Sequence, residues 1–268
     1  MISAVSKGKV KKQKISSYKK AQRNIALIFL LPNFLGFVVF IVYPVLKSLY
    51  ISFFNWDGLG TKEFIGLNNY ISLLSDSTFK VSFWNNIHYT VVTVPLSIIL
   101  GILIAMLMNV KLKGIQVFRV IYFLPQITSM VAIGIVWTTV LANYGPINQF
   151  LMTLGMENPP QWLSSTTWAL ISVEMVSIWR SMGYNAVILL AGLQGINVEL
   201  YEAAKIDGAG AFRRFFSITI PMLSPTIFLC LVMQLIGSFK VFDTIMAMTQ
   251  GGPGRATNVL TYYIYQRA

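Results

Sequence analysis

Residues 199–225 read ELYEAAKIDGAGAFRRFFSITIPMLSP, a charged, helix-prone segment set between two long apolar runs. It carries Glu199, Glu202, Lys205, Asp207, Arg213 and Arg214. The runs on either side, residues 167–191 and 223–248, are each long enough as helices to cross a hydrocarbon core of about 30 Å at about 1.5 Å per residue. A structured polar insertion in so apolar a neighbourhood is the natural place to dock a soluble partner.

The rest of the chain agrees. It is 55% hydrophobic and only 11% charged, whereas a soluble domain carries about a quarter charged residues. Apolar runs at 25–46, 86–109 and 118–141 join the two already named, so the expectation is an all-α, polytopic transmembrane helical bundle with five spans. The formal charge of +12 does not point to nucleic acid. Eight of the cations lie in residues 1–24, with no acidic residue among them, directly before the first apolar run. That is the pattern of a basic cytoplasmic tail, and residues 25–268 then form the membrane domain. The N-terminus does not read as a cleaved signal peptide, because no small-residue cleavage site follows a short apolar core. The single cysteine, Cys230, lies within an apolar run, which leaves no intrachain disulfide and no cysteine metal cluster.

Loop charges orient the spans. The 1–24 tail, the 110–119 loop (Lys111, Lys113, Arg119) and the 192–222 loop (Lys205, Arg213, Arg214) fall on one side if the five spans alternate. The opposite segments are poorer in cations: 142–166 has none, and 47–85 has Lys47, Lys62 and Lys80 over a longer stretch. The bias assigns the N-terminus and the 192–222 loop to the cytoplasm. Asn55-Trp56-Asp57-Gly58 and Gly66-Leu67-Asn68-Asn69-Tyr70 mark external turns with interfacial aromatics. Gly251-Gly252-Pro253-Gly254 ends the fifth span. Residues 257–268 are too short and polar to span, so the native chain is expected to continue into a further span.

Within the loop, Glu199–Ala204 favours a helix, Asp207-Gly208 a turn, and Ala209–Ile218 a second short helix. Ala203 and Ala204 leave a bare helix surface, Glu202 and Lys205 stand three apart, and Phe212, Phe215 and Phe216 supply apolar contact area. Glu202-Ala203-Ala204, Asp207-Gly208-Ala209 and Ile218-x-Ile220-Pro221 together resemble the EAA loop of bacterial ABC importer permeases. Phe239-x-x-Phe242-Asp243, Thr249-x-Gly251-Gly252-Pro253 and Tyr262-x-Ile264-Tyr265 are similar to the carbohydrate-uptake branch, of the maltose, lactose and glycerol-3-phosphate type. The resemblance implies a type I importer fold. It makes Glu202, Ala203, Ala204, Asp207, Gly208, Phe212 and Phe215 the element that couples to an ATP-hydrolysing subunit. It also implies as partners a second homologous permease, two ATP-binding cassette subunits and an external solute-binding protein. ATP and magnesium then belong to the ATPase subunits. The resemblance thus implies that this chain is no enzyme and binds no cofactor or metal of its own, and the absence of a GxxxxGK[ST] phosphate loop is consistent with that.

Charged groups inside the spans cost about 2.5–3.5 kcal/mol each on insertion scales, so they should face protein or water. Glu174, Arg180, Lys240 and Asp243 are such groups. Ser177, Arg180, Ser181 and Tyr184 repeat at i, i+3, i+4, i+7 and form one polar stripe on the fourth span. Gln234, Ser238, Lys240 and Asp243 are the polar set of the fifth span. With Trp179 and Phe239 nearby, the two stripes suit a sugar, whose hydroxyls need hydrogen-bond partners and whose C–H faces need aromatic rings. The expected substrate cavity is therefore Ser177, Arg180, Ser181, Tyr184, Ser238, Phe239, Lys240 and Asp243. The competing structural reading makes these groups interhelical locks, with pairs such as Arg180–Asp243 or Lys240–Asp243. Arg180 and Lys240 favour an anionic solute and Glu174 and Asp243 offset them, so the sequence does not name the solute. Two other functions fit less of the pattern: a secondary transporter driven through Glu174, Asp243 or His88, and a non-transporting membrane scaffold. His88 itself reads as a helix-end residue.

Overall fold

The computed structural model describes residues 10–110 and 114–268, the side chains of residues 10–18 and 21 excepted. The first nine residues of the expected basic tail, and Lys111 and Lys113, lie outside them. Contacts divide the chain into two units, Met1–Ser75 and Asp76–Ala268.

In the first unit, α1 (Val10–Phe37) passes through a π-helical turn, Val38–Val42, into α2 (Tyr43–Ile51). The stretch Gln22–Ile51 is long and apolar enough to span a membrane. Pro44 accounts for the wide turn. It has no N–H to offer the preceding turn, so the ladder slips by one residue and the Tyr43 N–H reaches back to the Val38 carbonyl. A short hairpin follows, β1 (Phe54–Asn55) antiparallel to β2 (Glu63–Phe64), with Phe54 opposite Phe64. In α3 (Asn68–Ser75), Asn69 Nδ2 donates to the carbonyls of Ser52 and Phe54 at 2.9 and 3.0 Å and fastens the hairpin.

The second unit is built on α4 (Ser77–Met108) and α8 (Trp168–Gln194). Val94, Ile98, Ile102 and Ala105 recur at helical spacing on α4 and bury against Leu189, Leu190 and Leu193 of α8. Between helices in a membrane, close packing and polar contacts carry the association, because lipid is as apolar as leucine. Both occur here. Gly183 lets α8 approach the backbone of α5 (Ile115–Ile127) so closely that a Cβ there would collide with the Tyr122 carbonyl oxygen. Asn185 Nδ2 donates to Ser97 Oγ at 3.2 Å, and Thr90 Oγ1 donates to Ser238 Oγ at 3.0 Å. Such interhelical bonds average about 0.6 kcal/mol each.

Three expected elements differ. The third span, 118–141, is two helices, α5 and α6 (Met130–Val140), bent by 99°. Thr128 and Ser129 adopt extended backbone between them, and Thr128 Oγ1 donates to the Leu124 carbonyl that the break releases, at 2.9 Å. The fifth span, 223–248, is cut at Lys240. There α11 (Ile220–Phe239) ends, and α12 (Asp243–Met248) begins after a kink at Val241 and Phe242. The expected separate helix over Ala209–Ile218 is instead the entrance to that span. It comprises α10 (Ala211–Arg214), a π-helical turn Phe215–Thr219, and then α11, with Pro221 repeating the effect of Pro44. The remaining helices are α7 (Pro146–Thr153), α9 (Val198–Ile206) and α13 (Leu260–Arg267). Asp76 caps α4 by accepting from the Thr78 N–H at 2.7 Å. Its other oxygen accepts from Tyr263 at 2.9 Å and from Arg267 at 2.7 Å, which ties α13 to the start of α4.

Candidate functional site

The two helix breaks converge on one cavity of about 340 Å³. Gln126 and Met130 reach it from either side of the α5–α6 bend, and Lys240 through Thr244 from the α11–α12 kink. Irregular backbone at membrane depth is tolerated where it is buried in protein or lines a water-filled space, and both breaks meet that condition. From α8 come Ser177, Arg180, Ser181 and Tyr184, and from α11 come Met233, Gln234, Gly237 and Ser238. Tyr89 and Thr93 of α4 close a further wall. The two polar stripes read from the sequence therefore share one space.

Seven of the eight expected cavity residues line it: Ser177, Arg180, Ser181, Tyr184, Ser238, Lys240 and Asp243. Phe239 does not. It is exposed on the other side of α11, because one residue advances a helix by about 100° and its neighbour Ser238 is the one turned inward. Trp179 also lies elsewhere, edge-on against Trp137 at 5.5 Å between ring centroids, within the apolar core. The aromatic faces present are Tyr89, Tyr184 and Phe242. Tyr89, Thr93, Gln126 and Phe242 are lining residues that the expected cavity set lacked, Phe242 having entered only through its motif. Asn86, Thr90, Thr93 and Ser97 do recur at helical spacing on α4, which is the signal that could have found that wall.

The expected locks are not formed. Among the described residues the ion pairs are His88–Glu174 and Arg267–Asp76, so neither Arg180, Lys240 and Asp243 nor Glu202 and Lys205 are paired within 4.0 Å. Arg180 Nη2 makes one long bond, 3.4 Å, to the Gln126 carbonyl. Gln234 Nε2 donates to Asn185 Oδ1 at 3.0 Å. Tyr184 donates to the Met233 sulfur at 3.9 Å. Among the described residues no group of His, Cys, Asp and Glu could hold a metal ion.

The second element of the site is the 197–219 segment. Asn197 caps α9, its Oδ1 accepting from the Glu199 N–H at 3.1 Å, with Glu199 in the first turn and Lys205 in the last, each favourable to the helix dipole. Gly208 ends the helix at φ +76°, a left-handed conformation that glycine enters without a Cβ penalty. The Ala209 N–H then reaches the Ala204 carbonyl at 2.8 Å and the Gly208 N–H that of Lys205 at 3.1 Å, a Schellman closure. Tyr201 and Thr219 hydroxyls meet at 3.0 Å, so α9 is bolted to the π-helical entrance of α11. Glu202, Ala203 and Asp207 are exposed and Ala204 is half-buried. Phe212 is 82% exposed, but Phe215, expected on the same face, turns inward and packs against the α4–α8 core. Ile206, 87% exposed beside Gly208, takes its place on the outer face. An isoleucine set directly before Asp207-Gly208 at a helix end was the available clue.

Residues 97–267 match the family described as "binding-protein-dependent transport system inner membrane component". The chain is 37% identical over 254 residues to the lactose transport system permease protein LacF of Rhizobium radiobacter, covering 93% of this chain and 85% of that one. It is 36% identical over 248 residues to the sulfoquinovosyl glycerol transport system permease protein SmoG of Agrobacterium fabrum, covering 91% and 80%. A bacterial ABC transporter involved in the import of the acidic polysaccharide alginate contains a chain that superposes with a TM-score of 0.76 at 26% identity, covering 94% of this chain and 86% of that chain. The broken spans, the shared cavity and the capped two-helix loop thus sit in a chain that belongs to the family of inner membrane components of binding-protein-dependent transport systems.

Proposed function

We propose that this chain translocates a saccharide, as one permease of an ATP-driven importer, through the cavity between α8 and α11. The observation that carries the reading is the meeting of two polar stripes and three aromatic rings in one space bounded by two helix breaks. Hydroxyls there find Ser, Thr, Gln and Tyr partners, and pyranose C–H faces find Tyr89, Tyr184 and Phe242. Relatives named for lactose and for sulfoquinovosyl glycerol support a saccharide.

The 1–24 tail and the α9 segment face the cytoplasm in this reading, as the loop cations favour. Glu202, Ala203, Ala204, Asp207, Gly208 and Phe212 dock in an ATPase subunit, and Ile206 joins them. The assembly contains a second homologous permease, two such ATPase subunits and an external solute-binding protein. ATP and magnesium act in the ATPase subunits, and this chain binds no cofactor. Closure of the ATPases displaces α9. The Tyr201–Thr219 contact passes the displacement to α11, and the cavity opens alternately to the two sides.

The test is uptake by proteoliposomes holding the full assembly with its binding protein. Saccharide accumulation should require ATP. Accumulation driven by an imposed proton gradient without nucleotide would overturn the reading in favour of a secondary transporter.

A further inference from the structure

The charges around the cavity are unbalanced. Its lining contains Arg180, Lys240 and Asp243, two cations and one carboxylate, a net charge of +1. Glu174, six residues before Arg180 on the same helix, does not line it. Its carboxylate is bonded to His88 at 2.8 Å, with a side chain only 4% exposed.

Neither cavity cation is satisfied from within the protein. Among the described residues no carboxylate lies within 4.0 Å of the Arg180 guanidinium or of the Lys240 ammonium. Arg180 Nε is enclosed with no hydrogen-bond partner, and its Nη2 has only the 3.4 Å contact to Gln126. An arginine carries five donors in a planar fork that matches an oxyanion in two-point geometry. For Arg180, whose Nε is enclosed, the lack of a partner at membrane depth is costly, and the cost is recovered when an occupant supplies the negative charge; Lys240, exposed at the rim, adds a second cation. Gln234 adds polarity of the other sense. Its Nε2 is committed to Asn185, which leaves Oε1 as an acceptor for a hydroxyl.

We propose that the cavity selects saccharides that carry an anionic group (carboxylate, sulfonate or phosphate), with Arg180 and Lys240 on the anion and Gln234 and Asp243 accepting from hydroxyls. This rests on the translocation reading above and names its substrate class.

The test is equilibrium binding to the purified, complete transporter without its binding protein. The probes are matched pairs of mono- and disaccharides: each hexose sugar against its hexuronate and its hexose phosphate. An anionic member should bind about tenfold or more tightly than its neutral twin, as expected for a charge-assisted hydrogen-bonded contact. That preference should fall toward unity in Arg180→Gln and in Lys240→Gln. The second variant alters an exposed residue at the end of α11, so its folding is not in question. Neutral twins binding as well as their anions, or a preference unchanged in both variants, would overturn the inference and leave the translocation reading intact. Binding of no saccharide of either kind would overturn both.

Discussion

His88 Nδ1 and Glu174 Oε1 lie 2.8 Å apart in a hydrogen bond that joins α4 to α8. His88 reads in the sequence as a helix-end residue, yet it lies three turns inside α4, bonded to a nearly enclosed Glu174. Removing it strands that carboxylate. His88→Ala should lower the melting temperature of the detergent-solubilised complex, by the equivalent of about 1.5–3 kcal/mol for the loss of a charged hydrogen bond. His88→Ala/Glu174→Gln should recover most of the loss, since a neutral amide is cheaper to bury. Equal melting temperatures for the single and double variants would argue against the pair as a structural link.

Gly183 makes a second, steric prediction. A methyl group there meets the Tyr122 backbone oxygen, which has nowhere to go without moving α5. Gly183→Ala should therefore destabilise by about 1–3 kcal/mol or more, the usual cost of overpacking. Gly36→Ala in α1, where nothing lies within 4 Å, should be neutral or slightly stabilising. Thermal unfolding of the two variants side by side checks this.

Asp76 predicts a pH dependence. Its carboxyl is held below the usual carboxylate range, first by the Tyr263 hydroxyl, then by the Thr78 N–H, with Arg267 adding charge attraction. A folded-state value below the unfolded one, about 3.9, means that the contribution is fully present above that value. It is lost only as the pH falls further, through the folded-state value. The tie between α13 and α4 should thus be constant from pH 5 to 8 on this account and weaken in strong acid. Asp76→Asn keeps the shape without the charge. It should show a lower melting temperature at neutral pH and a smaller difference from the unmodified chain in acid. Hydrogen exchange of the α13 amides reads the same tie locally.

Much of this was legible in the sequence, and the reasons it was not complete are physical. The helix of the 197–208 segment declared itself because six charges and a Gly-closed helix stand between apolar runs, and Asp207-Gly208 names its own turn chemistry. The stripe of Ser177, Arg180, Ser181 and Tyr184 followed from helical spacing. The α5–α6 bend did not, because hydropathy is blind to backbone direction: Thr128 and Ser129 are flanked by apolar residues, and the nearby breaker Pro125 lies inside α5 rather than at the break. The inward turn of Phe215 was hidden for a related reason. Its direction depends on the helix running on from α10 through the π-helical turn into α11, and that register is set by Pro221 six residues later. Tyr89 and Thr93 escaped notice because an uncharged polar stripe barely lowers the apolarity of α4.

The docking face gives the next prediction. Ile206 and Phe212 are 87% and 82% exposed, side chains that contribute nothing to the core, and in the proposed assembly they meet the ATPase subunit. Ile206→Asp and Phe212→Asp should leave the melting temperature of this chain unchanged within about 0.5 kcal/mol, as for surface positions generally. Both should weaken retention of the ATPase subunits on purification. Phe215→Asp should instead destabilise the chain, since it buries a charge against the α4–α8 core. Identical behaviour of all three would erase the distinction between outer and inner phenylalanines.

The central claim is that α9 receives motion from an ATPase subunit and passes it to α11. Saccharide-stimulated ATP hydrolysis by the assembled importer, with its binding protein, tests it most directly in Glu202→Lys and in Tyr201→Phe/Thr219→Val. The first alters the docking face, and the second removes the 3.0 Å hydroxyl contact between α9 and the entrance of α11. The account predicts that both insert normally and that stimulation is abolished in the first and sharply reduced in the second. Full stimulation in both would contradict it.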